Sequence, residues 1–531
     1  MSDVTPEQLA AVARLHGDLP LFAAKALNIR TKSGEVVPFR FNRAQTFVDA
    51  KLEEQRERLG YIRAIVVKAR QQGFSTYAQG RFYHRLWRTG GSKRAFILTH
   101  SDDATSNLFR MAKGFQALHP AELLQPRLKA GNAKELIFEH NGSGYAVATA
   151  GNAEVGRSAT FQYFHGSEVA FWPNADNHVA ASMQAVGRIK GTEVILESTA
   201  NGIGNFFHRT AMAALRGQSD FELIFTPWHW SDEYAMPCPD AWDPPDEWMQ
   251  YAQLHKLTWE QLYWAYCQNR IFAQAEALPD DAPSPKFRQE YPATVEEAFQ
   301  SSGNSFIPSE LVVKAMKRET EIVGHGPVIL GVDPSRNGDK VGVIDRCGRR
   351  MGSRIAARID PGGSVVYVAD QIGSILNRIR PDVCNIDVGG VGAGVYDILV
   401  DRGYKNLNAV NFGSKPISAA PTGEYLYQNR RAEMYDAMRE WFATDAGVQI
   451  PDDDGLQGDI CGPQWGAGAT RYQNSNGMLI IEEKDKIRAR LGASPDLGDA
   501  AALTFAVPVA HYAVSQQTVA APHKGKRKTG Y

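Results

Sequence analysis

Short apolar runs alternate with helical patterns between residues 61 and 230, and this alternation constrains the fold more than any other feature. The runs that predict strands are 62–67, 94–98, 136–138, 145–149, 161–164 and 194–197. Strands separated by helices are typical of a parallel sheet, so the chain is expected to be α/β. The pattern resumes later, with predicted strands at 327–332, 341–345, 364–368 and 383–387, a strand pair near 470–481, and predicted helices at 428–442 and 496–507.

The 531 residues are expected to form several domains, at a prior of roughly 150 residues each. Residues between the two α/β regions are rich in tryptophan and proline and predict a smaller helical subdomain. The expected division is a helical arm (1–40), a first α/β domain (41–230), the helical subdomain (231–320), a second α/β domain (321–510) and a basic, flexible tail (511–531).

Composition excludes few functions. Lys and Arg number 58 and Asp and Glu 59, so a surface that binds nucleic acid would have to be local. No two of the five cysteines stand at CxxC spacing, which argues against a zinc ribbon or a disulfide framework and favours a reduced, cytosolic compartment. We expect neither a signal peptide nor a membrane span, since no apolar run approaches ~18 residues.

The strand at 62–67 runs into the segment 68–76 (KARQQGFST), after which a helix is predicted. A strand, a turn containing a glycine (here Gly73) and a helix N-terminus together bind phosphate, because free N–H groups and the helix dipole point at the anion. Ser75 or Thr76 would bring a hydroxyl to Mg²⁺. A basic surface turn is the alternative interpretation of the same residues.

This segment departs from the common GxxxxGK[ST] pattern, because Phe74 stands where the lysine is expected. Lys68 or Arg70, at the other end of the loop, can reach the same phosphates. Upstream, Gln45 offers an amide able to pair with an adenine edge.

Glu168 follows the predicted strand at 161–164. The corresponding strand of a P-loop ATPase ends in Asp-Glu, where one acid helps to hold Mg²⁺ and the other orients the attacking water. Glu168 can serve as the base, whereas Ser167 stands in the place of the aspartate; the two can also be a helix N-cap and its first turn. Arg157 is a candidate to stabilise charge on the γ-phosphate, in cis or across a subunit boundary.

Three aspartates from distant segments, Asp333, Asp387 and Asp499, each lie at the boundary of a predicted element. Asp496 lies three residues before Asp499, so both can face one site. Several carboxylates are what two divalent cations need to activate water for phosphodiester hydrolysis. Basic residues that precede the last acid are candidates to hold a DNA backbone: Lys484, Lys486, Arg488 and Arg490.

The chain resembles the large terminase subunits of tailed bacteriophages over most of residues 40–510. The motifs that carry the resemblance stand in family order: 42–45 (NRAQ), 68–76, 167–172 (SEVAFW), 197–202 (ESTANG), 290–299 (EYPATVEEAF), 331–334 (GVDP), 385–387 (NID) and 494–499 (SPDLGD). The resemblance implies an N-terminal P-loop ATPase domain (ASCE, RecA-like) and a C-terminal ribonuclease H-like nuclease domain. It favours Lys68 as the phosphate-binding lysine and carries the glutamate base over to Glu168.

The same resemblance assigns the metal-binding acids to Asp333, Asp387 and Asp499, with Mg²⁺ or Mn²⁺ as the metal and ATP as substrate. It implies a motor that drives double-stranded DNA into a procapsid, cuts concatemers, and works with a portal protein and a small terminase subunit. We expect a ring on the portal, compatible with a monomer in solution, and no membrane. The expected place of action is the host bacterial cytoplasm and the procapsid portal, and not the mature virion.

Two other functions fit parts of the sequence. A helicase-nuclease of DNA repair or recombination would need a second RecA-like domain, for which residues 230–310 are too short. A non-catalytic scaffold would explain Phe74 and Ser167 as decay, but Glu168 and the nuclease acids argue against it.

Overall fold

The computed structural model describes residues 6–132, 134–150, 160–173, 175–276, 279–299, 305–336, 339–417, 426–465 and 478–508. The first helices are α1 (Pro6–Gly17), α2 (Leu19–Ala26), α3 (Arg43–Leu59), α4 (Phe74–Arg88), α5 (Asp102–Ala117), α6 (Ala175–Ala185) and α7 (Phe206–Leu215). The first strands are β1 (Asn28–Arg30), β2 (Val36–Pro38), β3 (Ile62–Lys68), β4 (Arg94–Thr99), β5 (Leu128–Gly131), β6 (Glu135–Phe138), β7 (Gly144–Thr149), β8 (Tyr163–Ser167), β9 (Glu193–Ser198) and β10 (Glu222–Thr226).

The first large sheet has the order β10-β3-β9-β8-β4-β7-β6-β5, and it is parallel from β10 to β7. All seven residues of β3 are buried, as expected for a central strand covered on both faces. Strand β3 precedes the predicted phosphate-binding loop, and β8 precedes Glu168. These two strands are not neighbours, because β9 lies between them. This insertion is the arrangement of an ASCE-type P-loop domain, and it confirms the predicted fold class.

A helical region follows, with α8 (Asp246–His255), α9 (Trp259–Glu276), α10 (Pro285–Glu290), α11 (Val295–Ala298) and α12 (Ser309–Met316). Its aromatic core contains Trp228, Tyr234, Trp248 and Phe287, and it also includes Ala69 of the phosphate loop. The helical region therefore packs directly against the loop that follows β3.

The second domain contains β11 (Val328–Asp333), β12 (Val341–Cys347), β13 (Arg350–Ile359), α13 (Val365–Ile379), β14 (Val383–Asp387), α14 (Val391–Asp401), β15 (Leu407–Val410), β16 (Leu426–Tyr427), α15 (Arg430–Phe442), α16 (Asp454–Cys461), β17 (Met478–Leu479), α17 (Lys484–Leu491) and α18 (Asp496–Leu503). Its main sheet has the order β13-β12-β11-β14-β15. The first three strands are antiparallel and the last two join in parallel, which is the predicted ribonuclease H-like topology.

One prediction for this domain was wrong, and the strand β13 was missed. Residues 364–368 form no strand, because Ser364 accepts a hydrogen bond from the Tyr367 N–H and begins α13. The strand β13 was not predicted, since its sequence contains several arginines and a glycine. The predicted strand pair near 470–481 falls largely outside the described residues, within which β17 pairs in parallel with β16.

One apolar cluster extends across both domains. It contains Val67 and Leu196 of the first sheet together with Leu456, Leu497 and Leu503 of the second domain. In the part of the chain that the structure describes, no helix is long and apolar enough to cross a membrane.

Candidate nucleotide and nuclease sites

The Gln72 side chain holds the loop between β3 and α4, both to the loop's own backbone and to the backbone after β10. The Ala69 N–H donates to Oε1 of Gln72 at 3.1 Å, and Nε2 of Gln72 donates to the Pro227 carbonyl at 2.8 Å. Gly73 has φ +77°, a left-handed conformation that glycine adopts without strain. The loop therefore delivers the N-terminus of α4 in a fixed orientation.

Gln45 supports this loop. Its Nε2 donates to the Gly73 carbonyl at 2.8 Å, and its Oε1 accepts from the Asn42 N–H at 3.0 Å in a capping box that begins α3. Both ends of the amide are thus hydrogen-bonded within the protein, and the pairing of Gln45 with adenine stays a prediction.

Lys68 and Arg70 point in different directions. Nζ of Lys68 lies 2.9 Å from Oε1 of Glu168 and 3.3 Å from Oε2 of Glu197, and the lysine is buried. Burial by itself would lower the pKa of Lys68, but the two carboxylates raise it above its usual value, so the ammonium is retained. The Arg70 side chain is 57% exposed, with Glu290 3.7 Å away. Lys68 is therefore the cation that faces the acids.

Glu168 lies at the end of β8 with φ +55°, a conformation that is rare outside glycine and often found at functional sites. Its Oε2 accepts from the Ser198 hydroxyl at 3.2 Å and from the Thr199 N–H at 3.4 Å. The predicted base is thus connected to the segment after β9. Its side chain is 27% exposed, so a carboxylate oxygen can reach solvent.

Glu197 is a site residue that the sequence did not reveal. Its side chain is 1% exposed, and Oε1 accepts from the Ser75 hydroxyl at 2.9 Å. Nε2 of His165 lies 3.3 Å from the same oxygen.

Thr76, in contrast to Ser75, directs its hydroxyl at the Met111 sulfur at 3.7 Å. Of the two predicted hydroxyls, Ser75 is therefore the one beside the acids. Arg157 lies outside the described residues.

The acids predicted for the nuclease come from elements that meet at one edge of the second sheet. Asp333 ends β11 and Asp387 ends β14, and these strands pair in parallel with Val332 opposite Ile386. Asp499 lies in the first turn of α18, which packs closely on β11 because Gly331 has no side chain. A Cβ at Gly331 would lie 1.9 Å from the Ala500 carbonyl oxygen.

Lys484 lies between two of these acids. Its Nζ is 3.0 Å from Oδ2 of Asp333 and 2.8 Å from Oδ2 of Asp499. Asp499 also accepts from Nε of Arg431 at 3.0 Å and from the Tyr435 hydroxyl at 2.8 Å. Neither Arg431 nor Tyr435 was predicted, because both lie inside a helix with no motif around them.

The acids differ in pKa. Burial would raise the pKa of Asp499, but Arg431 and Lys484 hold it below its usual value. Burial raises the pKa of Asp333 to about 7, with the charges of Asp499 and Asp387 adding to the effect and Lys484 opposing it. Burial also raises the pKa of Asp387 and brings that of Asp496 to about 7. Burial therefore disfavours the charged forms of Asp333, Asp387 and Asp496, and a further cation would favour them.

Some oxygens of these acids accept hydrogen bonds from the backbone. Oδ1 of Asp387 accepts from the Gly389 N–H at 3.0 Å, and Oδ2 of Asp496 accepts from the Lys340 N–H at 2.9 Å. Within the described residues, no group of three or more His, Cys, Asp or Glu side chains is arranged to hold a metal ion. The oxygen ligands are nevertheless the type that Mg²⁺ takes, and one cation, the Lys484 ammonium, already lies among them.

The other basic residues proposed for DNA are engaged in ion pairs. Lys486 lies 3.2 Å from Glu483, Arg490 lies 2.6 Å from Glu482, and Arg488 pairs with Asp339. Their contact with DNA stays a prediction.

No protein-family model and no curated protein matches the chain. Among solved structures it is similar to the large terminase of HK97 bacteriophage, with 12% identity over 92% of this chain and 99% of that chain and a TM-score of 0.47. It is also similar to the large terminase ATPase domain of Thermus phage P74-26, with 17% identity over 48% and 94% and a TM-score of 0.33. The large terminase of a thermophilic bacteriophage, solved in complex with ADP, shows 9% identity over 88% and 98%, with a TM-score of 0.33.

Proposed function

We propose that this chain is the ATP-hydrolysing subunit of a viral DNA-packaging motor and that its second domain is an endonuclease. The observation that carries the ATPase part is that Lys68 contacts both Glu168 and Glu197 beside the loop between β3 and α4, and that Ser75 donates to Glu197. A buried ammonium, a hydroxyl and a carboxylate beside a helix N-terminus are the groups that phosphoryl transfer from a nucleotide requires.

In this proposal Lys68 leaves its carboxylate partners to contact the phosphates of ATP, and the N–H groups at the start of α4 contact the same oxygens. Glu168, released from Lys68, orients a water molecule and accepts its proton. Bound Mg²⁺ would neutralise phosphate charge, held through Ser75. The hydrogen bonds from Ser198 and Thr199 to Glu168 connect hydrolysis to the segment 198–202, which leads into α7.

For the nuclease, Asp333, Asp387 and Asp499 would hold Mg²⁺ or Mn²⁺, with Asp496 beside them. The metal would lower the pKa of a water molecule and stabilise charge on the cleaved phosphate. Arg431 and Tyr435 fix the orientation of Asp499, and Lys484 neutralises the acids or contacts the DNA phosphate.

The motif order of the chain supports the packaging part, and the solved structures named above carry the same description, large terminase. The proposed substrate is double-stranded DNA. The proposed partners are a portal protein and a small terminase subunit, with a ring of this chain on the portal in the host cytoplasm.

A crossed pair of variants tests both activities in the full chain. Glu168→Gln is expected to bind ATP but to hydrolyse it at least about 100-fold more slowly, while plasmid cleavage with Mg²⁺ or Mn²⁺ continues. Asp387→Ala is expected to lose cleavage while ATP hydrolysis continues. Each variant is thus the folding control for the other. Near-normal hydrolysis by Glu168→Gln, or cleavage by Asp387→Ala, would remove that residue from its role, and inactivity of the wild type in both assays would contradict the proposal.

A further inference from the structure

Strands β8 and β9 end side by side, and this register brings two site residues together. Ser167 and Glu197 are directly opposite each other in the parallel ladder. In many P-loop ATPases an aspartate at the position of Ser167 helps to hold Mg²⁺, and the acid that follows it acts as the base. This chain has a serine there, and a carboxylate on the neighbouring strand instead.

The contacts of Glu197 are those expected of an acid that helps to hold Mg²⁺. Oε1 accepts from the Ser75 hydroxyl at 2.9 Å, and Nζ of Lys68 lies 3.3 Å from Oε2. Oε2 is buried, and the Lys68 ammonium is the cation beside it. When Lys68 turns to the phosphates of ATP, Oε2 loses that partner while it stays buried, which is costly, and a cation that arrives with the nucleotide would replace it.

A second layer of side chains orients Glu197. Nε2 of Gln79 lies 2.8 Å from Nδ1 of His165, and Nε2 of His165 lies 3.3 Å from Oε1 of Glu197. When the amide nitrogen donates to Nδ1, the Nε2–H of His165 donates to the Glu197 carboxylate. Burial would raise the pKa of Glu197, but Lys68, His165 and Ser167 hold it below its usual value, so the carboxylate stays charged.

We propose that Glu197, from the strand beside Glu168, takes the place of the missing aspartate and positions the Ser75 hydroxyl and the Mg²⁺ that accompanies ATP. This inference rests on the proposed ATPase function. The two acids then have different roles: Glu197 is the buried positioning residue, and Glu168 is the partly exposed base.

The test measures how strongly Mg²⁺ tightens binding of a fluorescent ATP analogue, as the ratio of Kd in EDTA to Kd in Mg²⁺. Glu197→Gln keeps the shape of the side chain and is expected to reduce this ratio about tenfold or more, because a charge-assisted contact is lost. Glu168→Gln, the matched control, is expected to keep the wild-type ratio while hydrolysis stops.

An exchange across the two strands separates this role from a merely structural one. In Ser167→Asp with Glu197→Gln the carboxylate moves to the directly opposite residue, and the Mg²⁺ effect is expected to recover. Ser167→Asn with Glu197→Gln differs only in that carboxylate and is expected to show no recovery. This pair decides the question even where Glu197→Gln alone does not fold.

An undiminished Mg²⁺ effect in Glu197→Gln would overturn the inference, as would equal behaviour of the two exchange variants. Wild-type protein that binds no ATP would instead contradict the proposed function, so the two failures are distinguishable.

Discussion

The Lys68 ammonium lies buried between Glu168 and Glu197, so three charges share one site before any nucleotide binds. Removing one member of a buried ion pair leaves the other without compensation, at a cost of roughly 3–5 kcal/mol. The same ammonium is the group we expect to meet the phosphates. Lys68 should therefore matter both to nucleotide affinity and to the stability of the free protein.

We expect Lys68→Met to weaken ATP binding by about tenfold or more and to lower the melting temperature of the nucleotide-free protein. Arg70→Met is the matched control, because Arg70 lies two residues away with its side chain mostly exposed. Titration of both variants with the fluorescent ATP analogue measures the first effect and thermal denaturation the second. A larger loss of affinity in Arg70→Met would transfer the phosphate contact to Arg70.

At the scale of single residues, the sequence predicted those whose role a motif implies and missed those whose role depends on tertiary structure. Lys68 and Glu168 each adjoin a recognisable strand end. Glu197 occupies the end of an apolar run, and only the pairing of β8 with β9 places it opposite Ser167. Arg431 reaches Asp499 from a helix 68 residues earlier in the chain, a contact that no local pattern indicates.

Among the elements, the first turn of α7 contains a buried histidine, His208, whose protonation opposes folding. Nδ1 of His208 accepts from the Gly204 N–H at 3.2 Å, and burial, with Arg209 and Arg216, lowers the pKa of His208 from 6.5 to about 3. As pH falls below 6.5 the unfolded chain binds a proton that the folded chain does not bind until pH is near 3. The stability contribution of the neutral ring is therefore complete above pH 6.5 and is lost progressively between these values.

We expect His208→Gln to reduce the fall in the free energy of unfolding between pH 7 and pH 5, by at most about 2 kcal/mol. Urea denaturation at pH 7, 6 and 5 measures this slope. His100→Gln, in which the replaced ring is exposed, should keep the wild-type slope. Parallel slopes for all three proteins would show that His208 is not a source of the acid sensitivity.

The elements predicted from sequence were those with one consistent pattern. The strand β3 is mostly apolar, buried at every residue, and was predicted within one residue of its observed end. The segment 364–368 carries β-branched and aromatic residues that favour a strand, but its apolar positions continue at helical spacing to Ile379, and Ser364 provides the N-cap. The edge strand β13 has exposed arginines on one face and therefore lacked a continuous apolar signal.

At the scale of the whole molecule, the two domains are in contact through two glycines, Gly204 and Gly458, whose backbones touch directly. Gly204 follows the segment that contacts Glu168, and Gly458 lies in α16 of the second domain. A Cβ at Gly458 would lie 2.8 Å from the Cα of Gly204, closer than real Cβ atoms approach. The apolar cluster shared by both domains surrounds this contact with buried residues such as Ile203 and Leu456.

We expect Gly458→Ala to force the two backbones apart, lowering the melting temperature by about 2–6 °C and reducing ATP hydrolysis although the residue lies in the other domain. Gly90→Ala is the control, since a Cβ there meets nothing within 4 Å. Melting curves and steady-state hydrolysis of both variants provide the comparison. A Gly458→Ala protein with wild-type melting and hydrolysis would show that the contact can adjust without effect.

The contact between Gly204 and Gly458 also has an evolutionary consequence. A larger residue at either position can be accommodated only if the opposite backbone retreats, and a second larger residue would add to the clash, so both positions should stay glycine. A second domain transplanted from a relative should combine with the first domain of this chain only where the donor also has glycine at the position of Gly458. The pair thereby restricts which halves can recombine into a working protein.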